Sequence, residues 1–347
     1  QTDTIKAAMA ELNSKKQLIG DVISQDTLWA CTTCRACEEV CPVTIEHVPR
    51  IIAMRQGQTL MAEAYPKELN PALKGLERNG NPWGIGYDKR ADWAEGLNVK
   101  TMADDPDVEY LLWVGCAGSF DDRSKKVSVS LVKILQKAGI NFAILGIEEK
   151  CTGDFARRVG NEMLYQMMAQ ENIETLNSYK VKKIITACPH CLNTLKHDYL
   201  QMGGNYEVVH HTAFIDQLVK AGKINLTKSL DGALTYHDPC YLGRYNAVYE
   251  QPRSILQSIS KEGLKELDRH GRESFCCGAG GGRMWMEETI GKRINVARAE
   301  EIVDHQVTHV AVGCPFCLTM LEDGMKDLNK EEEIKTRDIA ELVAESI

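Results

Sequence analysis

Thirteen cysteines, gathered in tight clusters that recur at a nearly constant offset, constrain this 347-residue chain more than any other feature. Cys116 and Cys240 stand 124 positions apart, while Cys151 and Cys277, Cys188 and Cys314, and Cys191 and Cys317 each stand 126 apart. Ala187-Cys188-Pro189-His190-Cys191-Leu192 aligns with Gly313-Cys314-Pro315-Phe316-Cys317-Leu318. In both copies an apolar stretch of strand length enters a Cys-Pro-x-Cys turn that opens a helix. Matching residues at a fixed period mark an internal duplication. An odd, clustered cysteine count also reads as metal ligation rather than as a disulfide framework.

The pattern around the cysteines sets the expected architecture. Thr4–Lys15 reads as an amphipathic helix, and Val48, Ile51, Ile52, Arg55 and Leu60 to Ala64 suggest another. Asn79-Gly80-Asn81-Pro82-Trp83-Gly84-Ile85-Gly86 is too rich in turn residues for regular structure. After the break at Asp104-Asp105-Pro106-Asp107, strands and helices alternate. Strands are expected at Glu109–Val114, Phe142–Leu145, Lys183–Ala187 and Tyr206–His210. Helices are expected through Val127–Leu135, at Glu162–Ser178, Leu192–Met202 and Thr212–Ala221. The overall class is α+β: a helical part over residues 1–105, then two α/β units at 106–229 and 230–347, with parallel sheets.

Three cysteine sets carry the chemistry. Cys31-x2-Cys34-x2-Cys37-x3-Cys41-Pro42 has the bacterial-ferredoxin spacing for a [4Fe–4S] cubane, whose fourth cysteine reaches a different cluster in two-cluster ferredoxins. A zinc site normally uses two separated CxxC pairs instead. The second copy supplies Cys240, Cys276, Cys277, Cys314 and Cys317. Five thiols, two of them adjacent, exceed what one tetrahedral zinc takes and suit a polynuclear iron–sulfur centre. Cys276 and Cys277 are its expected redox-centre ligands. The first copy offers Cys116, Cys151, Cys188 and Cys191, with Lys150 where the second has Cys276. Four thiols admit a cubane, a zinc ion, an altered cluster, or a degenerate site kept for packing.

Other features bear less weight. Gly278-Ala279-Gly280-Gly281-Gly282 lacks the context of a nucleotide loop and reads as backbone that comes close to a cluster. Met284, Trp285 and Met286 read as cover for the Cys276-Cys277 centre. His190, His237, His210 and His211 read as structural histidines, with a hydrogen bond to a cluster sulfur as the functional alternative. A charge of −8, with no basic run, argues against a nucleic-acid partner. No stretch approaches the ~18 apolar residues that span a bilayer.

Cys240…Cys276-Cys277-Gly278…Cys314-x2-Cys317 resembles the cysteine-rich CCG domain of heterodisulfide reductase iron–sulfur subunits. A ferredoxin-type part joined to two such domains is similar to the D-type subunits of that enzyme, which implies an iron–sulfur oxidoreductase. Thr27-Leu28-Trp29-Ala30-Cys31-Thr32-Thr33-Cys34-Arg35-Ala36-Cys37 and Gly80-Asn81-Pro82-Trp83-Gly84 look most like the electron-transfer flavoprotein–menaquinone oxidoreductase type. The resemblance implies a noncubane [4Fe–4S] cluster on Cys240, Cys276, Cys277, Cys314 and Cys317. It further implies electron-transfer flavoprotein, or another flavoprotein subunit, as donor and a membrane quinone-reducing domain as partner. A cytoplasmic position at the membrane face follows. Glycolate and lactate oxidase subunits and heterodisulfide reduction are the alternatives within the class; a zinc-stabilised assembly subunit is the non-redox alternative. Relatives of this kind usually carry two ferredoxin motifs, whereas no cysteine precedes Cys31. The expectation is an upstream segment bearing the first motif and a membrane domain.

Overall fold

The computed structural model describes residues 16–347. The expected helix at Thr4–Lys15 lies outside the described residues. The part preceding the first sheet is built of short helices and turns. Gln25–Ala30 starts at Ser24, whose side chain accepts from the Thr27 N–H, and it runs directly into Cys31. His47–Gln56 follows the cysteine run and continues into a wider turn at Gly57–Met61. Asn70–Asn79 stops at Gly80, whose φ of +65° suits a residue without a Cβ.

Among the described residues, seven strands then form two parallel sheets. The first contains β1 (Tyr110–Trp113), β2 (Phe142–Ala143), β3 (Lys183–Thr186) and β4 (Glu207–His210), in the order β2-β1-β3-β4. The second contains β5 (Leu234–Tyr236), β6 (His309–Val312) and β7 (Lys335–Asp338), in the order β5-β6-β7. Every pairing is parallel, with Leu111 opposite Ile184 in one sheet and Leu234 opposite His309 in the other. An isolated parallel bridge from Leu234 to Leu264 stands where the first sheet has β2. The duplication in the sequence is therefore a duplication of fold, mixed α+β overall.

Alternation along the strands decides what lies on each face. Leu112 and Ile185 face a core shared with the second repeat, which includes Val310, Leu318 and Leu342. Leu111, Trp113 and Ile184 face the other way, onto a core with Trp29, Leu69, Leu76 and Ile173. The first repeat is thus sandwiched between its own duplicate and the N-terminal helices. At the seam between repeats, His211 Nε2 meets Asp338 Oδ1 at 2.9 Å, with both side chains fully buried. Arg123 adds a bidentate pair to Glu341 at 2.8 Å.

One expectation changes at this level. Leu192–Met202 is not one α-helix: Pro189–Asn193 is α-helical, then the turns widen at Thr194–Asp198 and tighten at Tyr199–Met202. The buried Thr194, Leu195 and Tyr199 pack against the core and override a uniform helical period. Glu162–Ser178, by contrast, forms over its whole expected length, capped by Asn161. Among the described residues, no helix is long and apolar enough to cross a membrane.

Candidate metal centre

Each repeat positions its cysteines by the same local means. A buried strand ends two residues before Cys188 or Cys314, which caps the next helix; a proline opens that helix, and the second cysteine of the pair sits one turn in. In the second repeat this brings Cys314 and Cys317 to Cys277, whose sulfur accepts from Cys317 Sγ at 3.3 Å. Hydrogen bonds from Cys276 and Cys317 draw Cys277 well below the ordinary thiol range, despite burial. Cys276 is also lowered, first by its hydrogen bond with Cys240. All five expected residues of this repeat are linked through such contacts. Thiols converging on one place, two of them drawn toward thiolate, fit a polynuclear metal–sulfur group.

A sixth thiol arrives from the ferredoxin-type run. Cys34 is hydrogen-bonded to Cys276, and this contact together with burial raises its pKa. Cys276 Sγ lies 3.4 Å from Thr32 Oγ1, and the Cys31 sulfur accepts the Thr33 N–H at 3.3 Å. Tyr245 donates to Thr33 O at 2.7 Å, and Arg244 Nε to Cys34 O at 2.7 Å. Cys31, Cys34 and Cys41 are half-buried, whereas Cys37 is exposed. The Cys41 sulfur accepts the Ile45 N–H at 3.3 Å, away from this contact. The run is therefore seated on the second repeat, with one cysteine facing outward.

The glycine loop makes this seating possible. A Cβ on Gly280 would lie 2.1 Å from Thr32 O, and one on Gly281 would lie 2.4 Å from Cys31 O. The loop comes close to the backbone of the cysteine run itself. Arg55 closes the joint from behind, fully buried. Its guanidinium donates to Leu28 O, Cys31 O at 2.7 Å, Gly281 O at 2.9 Å and Arg158 O at 3.1 Å. Burial lowers its pKa to about 10, which leaves it a cation at neutral pH. Sequence periodicity places Arg55 only as one member of a helix.

The first repeat presents a different site. Cys116 and Cys151 sulfurs are 3.7 Å apart, and Cys188 bonds Cys191; these bonds and burial raise Cys151 and Cys191, as they raise Cys240 and Cys317 in the second repeat. A small cavity of about 50 Å³ lies over these thiols, closed by Pro82, Phe155, Trp285 and Phe316. The expectation that Trp285 covers the Cys276-Cys277 centre is corrected here: its ring packs edge-on to Trp83 at 5.4 Å and beside Phe155 at 6.1 Å. The positive φ of Gly282 turns the chain across to the first repeat. Lys150 points away from the thiols and pairs with Glu171 at 2.6 Å. The Cys151 N–H is taken by Gly80 O at 2.8 Å.

The histidines divide by partner. His237 lies with Cys277 and Cys317 in a group whose ligand atoms are all within 4.8 Å of one another. Burial, then the Arg298 charge, pulls it to about 3, a neutral imidazole accepting from Arg298 Nε at 3.1 Å. His190 pairs with Asp154 at 2.9 Å and stacks on Tyr241 at 3.9 Å. His210 contacts Thr212 and Ala187 O, and His211 belongs to the seam.

This duplicated geometry agrees with a family match. The model for the CCG cysteine-rich domain matches twice, at residues 110–196 and 234–322. The chain belongs to the CCG cysteine-rich domain family. It is 46% identical over 353 residues to a Syntrophomonas wolfei protein named "EtfAB:quinone oxidoreductase", covering 98% of this chain and 49% of that one. It is equally 46% identical over 347 residues to "Probable iron-sulfur-binding oxidoreductase FadF" of Bacillus subtilis, with 98% and 49% covered. The D-type subunit of a Methanosarcina barkeri CoB–CoM heterodisulfide reductase is 31% identical over 329 residues, covering 93% of this CCG chain and 78% of its own length. The chain spans about half the length of the first two relatives.

Proposed function

We propose that this CCG protein is the iron–sulfur part of an oxidoreductase, passing electrons from electron-transfer flavoprotein or a similar flavoprotein subunit toward a membrane quinone. The observation that carries the reading is the meeting of Cys34 with Cys276, which joins a ferredoxin-type run to a five-thiol site. Of the two relatives at 46% identity, the name "EtfAB:quinone oxidoreductase" supports the donor and acceptor classes, and the other supports iron–sulfur redox chemistry. In this reading Cys31, Cys34 and Cys37 hold a [4Fe–4S] cubane. Cys41 reaches a second ferredoxin-type cluster. Cys240, Cys276, Cys277, Cys314 and Cys317 hold a noncubane [4Fe–4S] cluster, and Cys116, Cys151, Cys188 and Cys191 hold a further cluster or zinc.

When bound, such groups supply one-electron transfer. The chain's own residues supply thiolates, exclude water and keep His237 neutral beside two of the sulfurs. Residues 1–105, 106–229 and 230–347 are then the three units of the carrier, working at the cytoplasmic face of a membrane. The relative from a heterodisulfide reductase favours a second reading, in which the five-thiol centre acts on a thiol or disulfide.

Anaerobic purification with iron, zinc and acid-labile sulfide analysis tests the first point. Near-stoichiometric zinc without labile sulfide refutes the redox reading. Mixing the whole protein with reduced electron-transfer flavoprotein and a menaquinone analogue tests the second. Oxidation of the flavoprotein is expected; turnover of a disulfide without it selects the second reading.

A further inference from the structure

Arg55 is a fully buried guanidinium whose hydrogen bonds all go to main-chain carbonyls: Leu28, Cys31, Arg158 and Gly281. Among the described residues, no carboxylate pairs with it. Carbonyl oxygens satisfy its donors but leave its unit charge uncompensated, and a buried charge without an opposite charge is costly. Its contact with the cysteine run is direct, since Nη2 donates to Cys31 O at 2.7 Å. The four carbonyls also come from three places: the helix leading into the cysteine run, the end of the first repeat's Asp154–Arg158 helix, and the second repeat's glycine loop. Close approach is built in from both sides. A Cβ on Gly160 would lie 2.4 Å from the Arg55 carbonyl carbon, and one on Gly281 would lie 3.0 Å from Nη1.

We propose that Arg55 is the built-in countercharge of the centre held by Cys31, Cys34 and Cys37, a positioning residue that ties loading of that centre to closure of the joint between the three units. This rests on the iron–sulfur reading above. A thiolate-ligated centre is anionic, so it supplies the negative charge that the carbonyls cannot. Reduction adds one further negative charge, and a fixed cation beside the site favours the reduced form. Arg suits the task because its charge is permanent and its fork reaches several acceptors at once.

The test is an EPR-monitored redox titration of the whole, anaerobically purified protein, comparing wild type with Arg55→Met and Arg55→Lys. Arg55→Met is expected to lose about tenfold in the reduction equilibrium of the ferredoxin-type centre, a downward shift of about 59 mV for one electron. Arg55→Lys, which keeps the charge but not the fork, is expected to retain most of the wild-type midpoint. An unchanged midpoint in Arg55→Met at full iron content overturns the proposal, as does an equal shift in both variants. Should Arg55→Met fail to fold, hydrogen exchange on wild type decides. Protection at Leu28–Cys31, Arg158 and Gly281 is expected to fall together when iron is removed by a chelator, and unchanged protection overturns the coupling. Wild type without labile sulfide overturns the functional reading itself, whereas a loaded centre with an indifferent midpoint overturns only the role of Arg55.

Discussion

The two repeats share strand order, helix starts and four matched cysteines, yet they make unlike sites. In the second, Cys276 meets Cys34, and Cys276 and Cys277 are drawn toward thiolate. In the first, Lys150 turns outward to Glu171, and aromatic rings close the cavity over the thiols. Each repeat receives a loop from the N-terminal part beside its cysteine cluster. The first takes Gly80, whose carbonyl caps the Cys151 N–H. The second takes the cysteine run itself. One fold thus becomes a sealed thiol pocket or an open junction, according to which loop docks on it.

The largest expected effect comes from breaking the junction. Cys277→Ser is expected to remove the second repeat's EPR signal and spare the ferredoxin-type one. Its loss of electron transfer should exceed the roughly 10–100-fold that removal of an outer hydrogen-bond partner costs at metal sites. An unchanged spectrum defeats the ligand assignment.

The next effect concerns the polar support of the first repeat. Asp154 bonds both Arg158 and His190 at 2.8 and 2.9 Å. Burial pushes its pKa up, but Arg158 and then His190 outweigh this and bring it down to about 2. Removing one partner of a buried pair costs about 3–5 kcal/mol, so Asp154→Asn should destabilise by that order at pH 7. A depressed carboxyl pKa contributes stability above its unfolded value and loses it as pH falls through the folded one. About 2 kcal/mol of the difference from wild type should therefore fade between about pH 4 and pH 2. Urea unfolding across that range measures it, and a pH-independent difference contradicts the assignment.

Trp285→Ala sharpens the comparison at the lid. It should cost about 2–3 kcal/mol, below the ~3–5 typical of a fully buried aromatic. The first repeat's thiols should become reactive toward an alkylating reagent while those of the second keep their protection. Faster labelling at Cys277 instead would restore the expectation that Trp285 covers the other centre.

The smallest effect is at the position that distinguishes the repeats in sequence. Lys150→Cys recreates an adjacent pair, yet the Lys150 side chain leads toward Gly80 and solvent. Iron per chain should stay at the wild-type value, with a stability change below about 1 kcal/mol for the lost exposed ion pair. Added iron would mean that the missing cysteine alone separates the two sites.

Much of the fold and of the thiol sets is legible in the chain alone. Cysteines matched at a nearly constant offset declare the duplication, because similar spacing along the chain puts matching residues at matching places in each copy. Glu162–Ser178 shows its full length because its period and its cap agree. Trp285 escapes such reasoning because neighbours in sequence need not be neighbours in space, and the positive φ of Gly282 carries the ring to the other repeat. Arg55 carries no usable signal, since a charged residue on a helix face looks the same in solvent or sealed among carbonyls.

The sequence by itself determined the repeats, the strand-to-helix turns and the three sets of thiols, all of which depend on local spacing and on side-chain period. Only the tertiary structure decided which set meets which. Thr32 and Cys276 are in contact across 244 positions. That contact depends on a glycine loop without Cβ atoms and on a buried cation that collects carbonyls from three segments, neither of which leaves a periodic trace in the chain.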